Sequence, residues 1–288
     1  MIEDGIKEIK CSAFEKCTGI KGNLIIPDSV ENIEALAFNK CNGFDGTLTL
    51  SSSLKSLGSG AFQLCSGFTG NIVIPEGVET LGTHVFNKCS GFNGTITLPS
   101  TLKEIGRNSF YNCNKLTGNL VIPEGIEIIN PNTFCSCSSL SGTLTLPSTL
   151  KVVGSAAFQN CSGLKGNLII PDKIESIGQF AFNNCVSLTG DLIIPNSLTT
   201  ISRCAFQSCS RLTGKLVLPD SITSIEGFAF YDDKFTGELV LPKNLENLGE
   251  AAFGKNTNFS NSKIVIPASL KKIGVDCDFN GENLGIST

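Results

Sequence analysis

Three apolar signals separated by polar residues return together every 24 residues. The first is a short in/out alternation closed by proline, as in Leu120-Val121-Ile122-Pro123. The second is a pair of apolar positions three apart, Ile126 and Ile129 in that copy. A glycine such as Gly106, Gly154 or Gly178 follows in most copies. The third is Ala-Phe with a cysteine three residues after the Phe. β-rich alternation predicts a strand. Proline has no N–H for a ladder and ends it. Gly118, just ahead, marks a turn that needs φ > 0 or a close backbone approach. The i, i+3 spacing of Phe and Cys predicts one helical turn on the opposite side. A single turn cannot stand alone, so its Phe has to be held by neighbouring copies.

The clock is strict. Phe14, Phe38, Phe62, Phe86, Phe110, Phe134, Phe158, Phe182, Phe206 and Phe230 lie 24 apart. Cys17, Cys41, Cys65, Cys89, Cys113, Cys137, Cys161, Cys185 and Cys209 follow three residues later. About eleven copies fill the chain. The segment Tyr231–Phe235 has lost one residue and its cysteine, and Asn258–Lys263 has gained one. A period of this length means a solenoid, in which each unit buries its apolar face only against its neighbours. Residues 1–274 read as one solenoid domain and 275–288 as an irregular polar cap or tail.

The unit reads roughly C-x-x-[LF]-T-G-x-[LI]-x-[LI]-P-x-x-[LIV]-x-x-[ILV]-G-x-x-A-F. It resembles the BspA-type leucine-rich repeat of microbial surface proteins, over essentially the whole chain. The resemblance implies a right-handed leucine-rich-repeat solenoid with a parallel β-sheet on one side. Short strands or one-turn helices are implied on the other. It also implies a surface or secreted protein, an adhesin or surface antigen that binds other macromolecules.

Nine cysteines on one clock admit three readings. Metal ligation needs converging thiolates, commonly in C-x-x-C pairs, and here each thiol sits on its own turn. Disulfides between adjacent turns are within reach at a strand spacing of about 4.8 Å, but an odd ladder has no natural pairing. Cysteine is also small, apolar and among the most buried residue types. The expectation is therefore a structural ladder of buried free thiols. Cys11, Cys135, Cys204 and Cys277 lie off it and are the remaining candidates for reactivity.

If Leu120 and Ile122 point inward, Asn119 and Val121 point out. That outer face carries a second pattern. Asn71/Val73, Thr95/Thr97, Asn119/Val121, Thr143/Thr145 and Asn167/Ile169 alternate, as do Asn23/Ile25 and Thr47/Thr49, giving a true period of 48. Duplication of a two-turn unit accounts for it. Beyond residue 190 the pairs become Asp191/Ile193, Lys215/Val217, Glu238/Val240 and Lys263/Val265. Charges of alternating sign predict cross-strand pairs of about 0.2–1 kcal/mol each. This stripe, from Asn71 to Val217, is the candidate partner-binding face. Ordinary strand preference for Thr, Val and Ile explains the same residues without a partner.

Composition adds exclusions. Net charge is −4, so no basic surplus exists to hold nucleic acid. No long apolar run predicts membrane insertion. The start MIEDGIKEIK lacks the apolar stretch of a leader, which leaves a cytoplasmic scaffold as the alternative to a surface protein. A single histidine, His84, offers no partner for acid–base work and is expected at the surface. Asp28, Glu76, Glu124, Asp172 and Asp220 follow the proline as a solvated edge, too sparse a ligand set for calcium. The sequence thus reads as a non-catalytic interaction module with no cofactor and no metal.

Overall fold

The protein, seen in a computed structural model that describes residues 2–260 and 264–277, is a parallel β-solenoid of about eleven turns. Its strands are two residues long. One side is a long sheet of eight strands, Glu8–Ile9 through Ser176–Ile177, continued by a separate four-stranded sheet from Thr200–Ile201 to Lys272–Ile273. Partners sit one repeat apart, as in Ile128↔Val152 and Val152↔Ser176. Inward residues such as Ile105, Ile129 and Val153 are buried.

The strands expected at positions such as Leu120–Val121 exist, but they pair only in twos. Leu24–Ile25 pairs with Leu48–Thr49, Ile72–Val73 with Ile96–Thr97, Leu120–Val121 with Leu144–Thr145, and Leu192–Ile193 with Leu216–Val217. The continuous sheet is instead built on the stretch that the sequence suggested as inward contacts and a bend. Glycine favours this at most turns, although Glu34, Asn130 and Glu226 hold the same place in turns that also pair on both sides. The N–H of Gly82 reaches the carbonyl of Leu57 at 2.9 Å, and a Cβ on Gly82 would press into the backbone of Ser59. Without side chains at that position, successive turns close up.

The predicted helical turn is not there: the described residues contain no helix. The stretch around each ladder Phe is instead a run of turns with two left-handed residues four apart, Leu36 (φ 58°) and Lys40 (φ 62°) around Phe38. Alternate N–H groups then point along the solenoid. Leu36, Phe38 and Lys40 donate to Ser59, Ala61 and Gln63 of the next turn. The residues that alternate with them, Ala37, Asn39 and Cys41, donate to carbonyls three back within their own turn. A helix would consume all of these groups internally and leave the turns unconnected on this side. His84 occupies one of the left-handed positions, φ 60°, and donates its N–H to Arg107.

The interior holds a column of stacked rings from Phe14 to Phe253, with centroids 5.0–5.6 Å apart. Burial of each ring contributes roughly 1.5–3 kcal/mol, with an offset-stacking bonus of about 0.5–1.5 kcal/mol. A second column begins with Phe44, Phe68 and Phe92 and continues as leucines from Leu116 to Leu212. No helix among the described residues is long and apolar enough to cross a membrane. Of the expected cap, residues 278–288 lie outside the described residues, as does Lys263.

Candidate binding surface

All fourteen residues of the proposed face, from Asn71 to Val217, are exposed. Val73, Val121, Ile169, Ile193 and Val217 keep 53, 55, 75, 59 and 45% of their surface in water. Ile25, Val240 and Val265 extend the row at both ends. The structure therefore brings the β-branched residues together as one stripe. It gives the polar residues between them a different task.

The Asn/Thr alternation is a pairing code. Asn23, Asn71 and Asn119 each accept, at Oδ1, the backbone N–H of Thr47, Thr95 and Thr143 at 2.8–2.9 Å. The threonine hydroxyls lie 3.2–3.4 Å from the same oxygens. Asp191 repeats the motif, accepting the N–H of Lys215 at 2.7 Å. The cross-strand charge pair foreseen there is thus a side-chain-to-backbone bond. Gly22, Gly70 and Gly118 in the acceptor turns have φ near +80°, whereas the equivalent Gly46, Gly94 and Gly142 sit so close to the Asn side chain that no Cβ fits.

The acidic edge follows the same logic and is not merely solvated. Asp28, Glu76 and Glu124 accept both the N–H and the hydroxyl of Ser52, Ser100 and Ser148 at 2.8–3.1 Å. Asp220 accepts the N–H of Lys243. These backbone and hydroxyl donors hold the Asp28 and Glu124 carboxyls below their usual range. On the long sheet Lys7, Glu31, Lys55, Glu79, Lys103, Glu127 and Lys151 form a row of alternating charge. Lys103 bridges to Glu79 and Lys151 to Glu127 at 2.8 Å. The sequence reading missed this row, although its 24-residue spacing was there to find. Shallow grooves run beside it, one of about 660 Å³ over Gly58 and Gly82 with Glu34 and Glu104 at its margins.

The cysteine ladder is a hydrogen-bond ladder. From Cys41 to Cys209 each Sγ donates to the carbonyl of the Phe 27 residues earlier, at 2.7–3.2 Å. That carbonyl also receives the N–H of its own turn's cysteine, so both lone pairs are used. Cys17, in the first turn, is only partly buried. All thirteen cysteines are free thiols. Loss of solvation pushes Cys41 up to about 11 and Cys113 and Cys185 up to about 12. It drives Cys89, Cys137, Cys161 and Cys209 well above the ordinary thiol value. Such thiols are poor nucleophiles and poor metal ligands. Off the ladder, Cys135, Cys204 and Cys277 are buried and raised for the same reason, while Cys11 is exposed.

Two turns lack the cysteine. Asn256 takes its place and donates Nδ2 to the carbonyls of Phe230 and Phe253 at 2.5 and 3.0 Å. Asp233 stands there too, fully buried, with Oδ1 receiving the N–H of Cys209 at 2.7 Å and Oδ2 without a partner. Burial holds its pKa well above the carboxylate range, aided by Asp232 and opposed by the Cys209 N–H and Lys234.

Comparison with known proteins gives a consistent picture. The family model of the BspA type leucine rich repeat region matches six copies over residues 1–117, 68–189 and 164–285. A leucine-rich repeat protein from Bacteroides ovatus is 25% identical with a TM-score of 0.61, covering 96% of this chain and 80% of its own. The leucine rich repeat protein of T. pallidum is 28% identical with a TM-score of 0.50, covering 62% of this chain and 82% of its own. A leucine rich cell surface protein from Faecalibacterium prausnitzii, 22% identical, shares the fold with a TM-score of 0.56 over 92% of this chain and 86% of its own. No curated protein matches the chain.

Proposed function

Because the chain belongs to the BspA-type leucine-rich repeat family, whose repeats form binding modules, we propose that it is a non-catalytic adhesin or surface antigen of a microbial cell. It contacts a protein or other macromolecule through the stripe from Asn71 to Val217. The observation that carries this reading is the row of exposed β-branched side chains, Val or Ile with Thr97 and Thr145 between them, at successive turns. A continuous apolar stripe on a soluble surface marks a partner site more often than scattered apolar residues do. The Asn and Asp residues hold the strands in register, so the contact is expected from the β-branched side chains and from Thr97 and Thr145.

The experiment is binding of an extract-derived or candidate partner to wild type and to Thr97→Lys, Val121→Lys and Ile169→Lys variants by surface plasmon resonance. Loss of affinity with an unchanged circular dichroism spectrum is expected. Unchanged affinity for every partner in all three would sink the assignment of this face.

A second reading, an internal scaffold, is favoured by one observation: thirteen free thiols, the pattern of a reducing compartment. Protease shaving of intact source cells separates the two. Peptides released before lysis place the solenoid outside, and peptides found only after lysis place it inside.

A further inference from the structure

The pairing code slips once. Acceptor turns alternate with donor turns until Asn167, which is followed by Asp191, a second acceptor. Gly190 keeps the acceptor-type φ of +85°, and the next donor is Lys215. Between the turns of Asn167 and Asp191 one stretch carries no backbone links. Among the described residues, neither Leu168 nor Ile170 donates its N–H to the following turn. Leu50, Ile96 and Leu98 do not either, because these strands pair in twos, but at those junctions the long sheet still joins the same two turns. Asp172 receives no bond of the kind that Glu124 takes from Ser148. The long sheet ends at Ser176–Ile177 and starts again at Thr200–Ile201. At that corner Ser202 replaces the repeat's glycine, and its hydroxyl takes the Ile177 carbonyl at 2.6 Å.

The rest of the same junction is fully tied. Phe180, Phe182 and Asn184 donate to the next turn at 2.8–3.1 Å. Phe182 stacks on Phe206 at 5.5 Å, and Cys209 bonds to the Phe182 carbonyl. Gly166–Asn167 pairs with Leu188–Thr189. So residues 168–178 are held to the next turn by one hydroxyl, while 179–190 are latched. Every other junction whose strands are described keeps its long-sheet pairing. A depression of about 320 Å³, lined by Asn167, Ile169, Asp172, Asp191, Ile193 and Pro195, lies on the untied side.

We propose that this junction is a hinge. The solenoid opens there on one side only, pivoting on the Phe182–Phe206 and Cys209 contacts, and so separates a rigid block ending near Ile177 from one starting near Leu192. The exposed row crosses the hinge between Ile169 and Ile193, so opening changes the spacing of the stripe. This holds whether or not the stripe binds a partner, since it rests on backbone links alone.

Amide hydrogen exchange of the full chain, read by peptide mass spectrometry, tests it. Local opening exposes the amides on the side that opens and leaves the pivot protected. Amides of 168–172 and 199–202, which meet at this junction, are expected to exchange roughly tenfold or more faster than the equivalent 120–124 and 151–154. Amides of 180–184 are expected to match those of 132–136. Equal protection on the two sides of the junction, or loss of the pivot together with the rest, overturns the hinge. Ser202→Gly supplies the second arm, because it restores the glycine that most turns carry at this corner. Slower exchange at 199–202 in that variant supports the assignment. Unchanged exchange there shows that the opening has another cause and overturns it.

Discussion

The turns from Leu24 to Cys161 and those from Thr200 to Cys277 share one fold and differ at one buried position. In the first set every turn places a thiol against the Phe carbonyl of the turn before. In the second set Cys209 keeps the thiol, but Asp233 and Asn256 occupy that place in the next two turns. The difference shows what the position demands. It asks for a small group that donates a hydrogen bond and carries no charge. Cysteine meets this at least cost in polarity, and asparagine meets it while leaving its Oδ1 without a partner. Aspartate meets it only with its proton on.

The comparison breaks most visibly if the column itself is cut. Phe134→Ala removes a fully buried ring stacked on both sides, and is expected to cost about 3–5 kcal/mol in urea unfolding. Phe259→Ala, in the second column near the end of the described turns, is expected to cost less. Next comes the donor. Cys113→Ala leaves the Phe86 carbonyl short of one partner and is expected to cost roughly 1–3 kcal/mol, with Cys113→Ser recovering part of it.

The third test reverses the sign. The folded pKa of Asp233 is raised by burial, so its proton is bound more tightly in the folded chain. Its stabilising contribution is full below the unfolded carboxyl value of about 3.9 and is lost as pH rises through the folded value. Asp233→Asn is therefore expected to stabilise the protein at pH 7 by about 1–3 kcal/mol, with the gain shrinking toward zero in acid. Thermal melts from pH 3 to 8 read it directly. An advantage that stays constant with pH would show that Asp233 is not the titrating group.

Smaller effects separate used from unused residues on the outer face. Asn119→Ala removes the acceptor of the Thr143 N–H and is expected to cost about 0.5–1.5 kcal/mol. Asn167→Ala, which faces Asp191 rather than a donor, is expected to cost close to nothing. Least of all, Lys151→Ala should leave the urea midpoint unchanged within error and abolish what little salt dependence the exposed Glu127–Lys151 bridge confers.

The period, the Phe column and the cysteine spacing were legible because each repeats one residue type at one spacing. Tertiary bonding was not. The Ala-Phe-x-x-Cys spacing fits a helix on paper, and only the need to point N–H groups at the next turn selects left-handed residues such as Leu36 and Phe180. The length of each sheet was hidden for a similar reason. A strand motif as clear as Leu120–Ile122 pairs once, while the plainer Ile128–Ile129, with Asn130 rather than glycine after it, pairs on both sides, so the apolar pattern does not show how closely turns approach. The Asn/Thr alternation was visible, yet its meaning needed the position of Oδ1. Asp233 was seen only as a lost cysteine, since a sequence does not display burial.

The acceptor–donor code also sets a rule of parity on how such a chain can lengthen or shorten. Recombination that adds or removes an even number of repeats returns every asparagine to a threonine and every carboxylate to a serine. An odd number sets acceptor against acceptor and leaves a fault line. At Asn167 and Asp191 the asparagine series shows such a fault line, while the carboxylates Asp172 and Asp220 keep their 48-residue spacing across it, so the two codes run out of phase from there on.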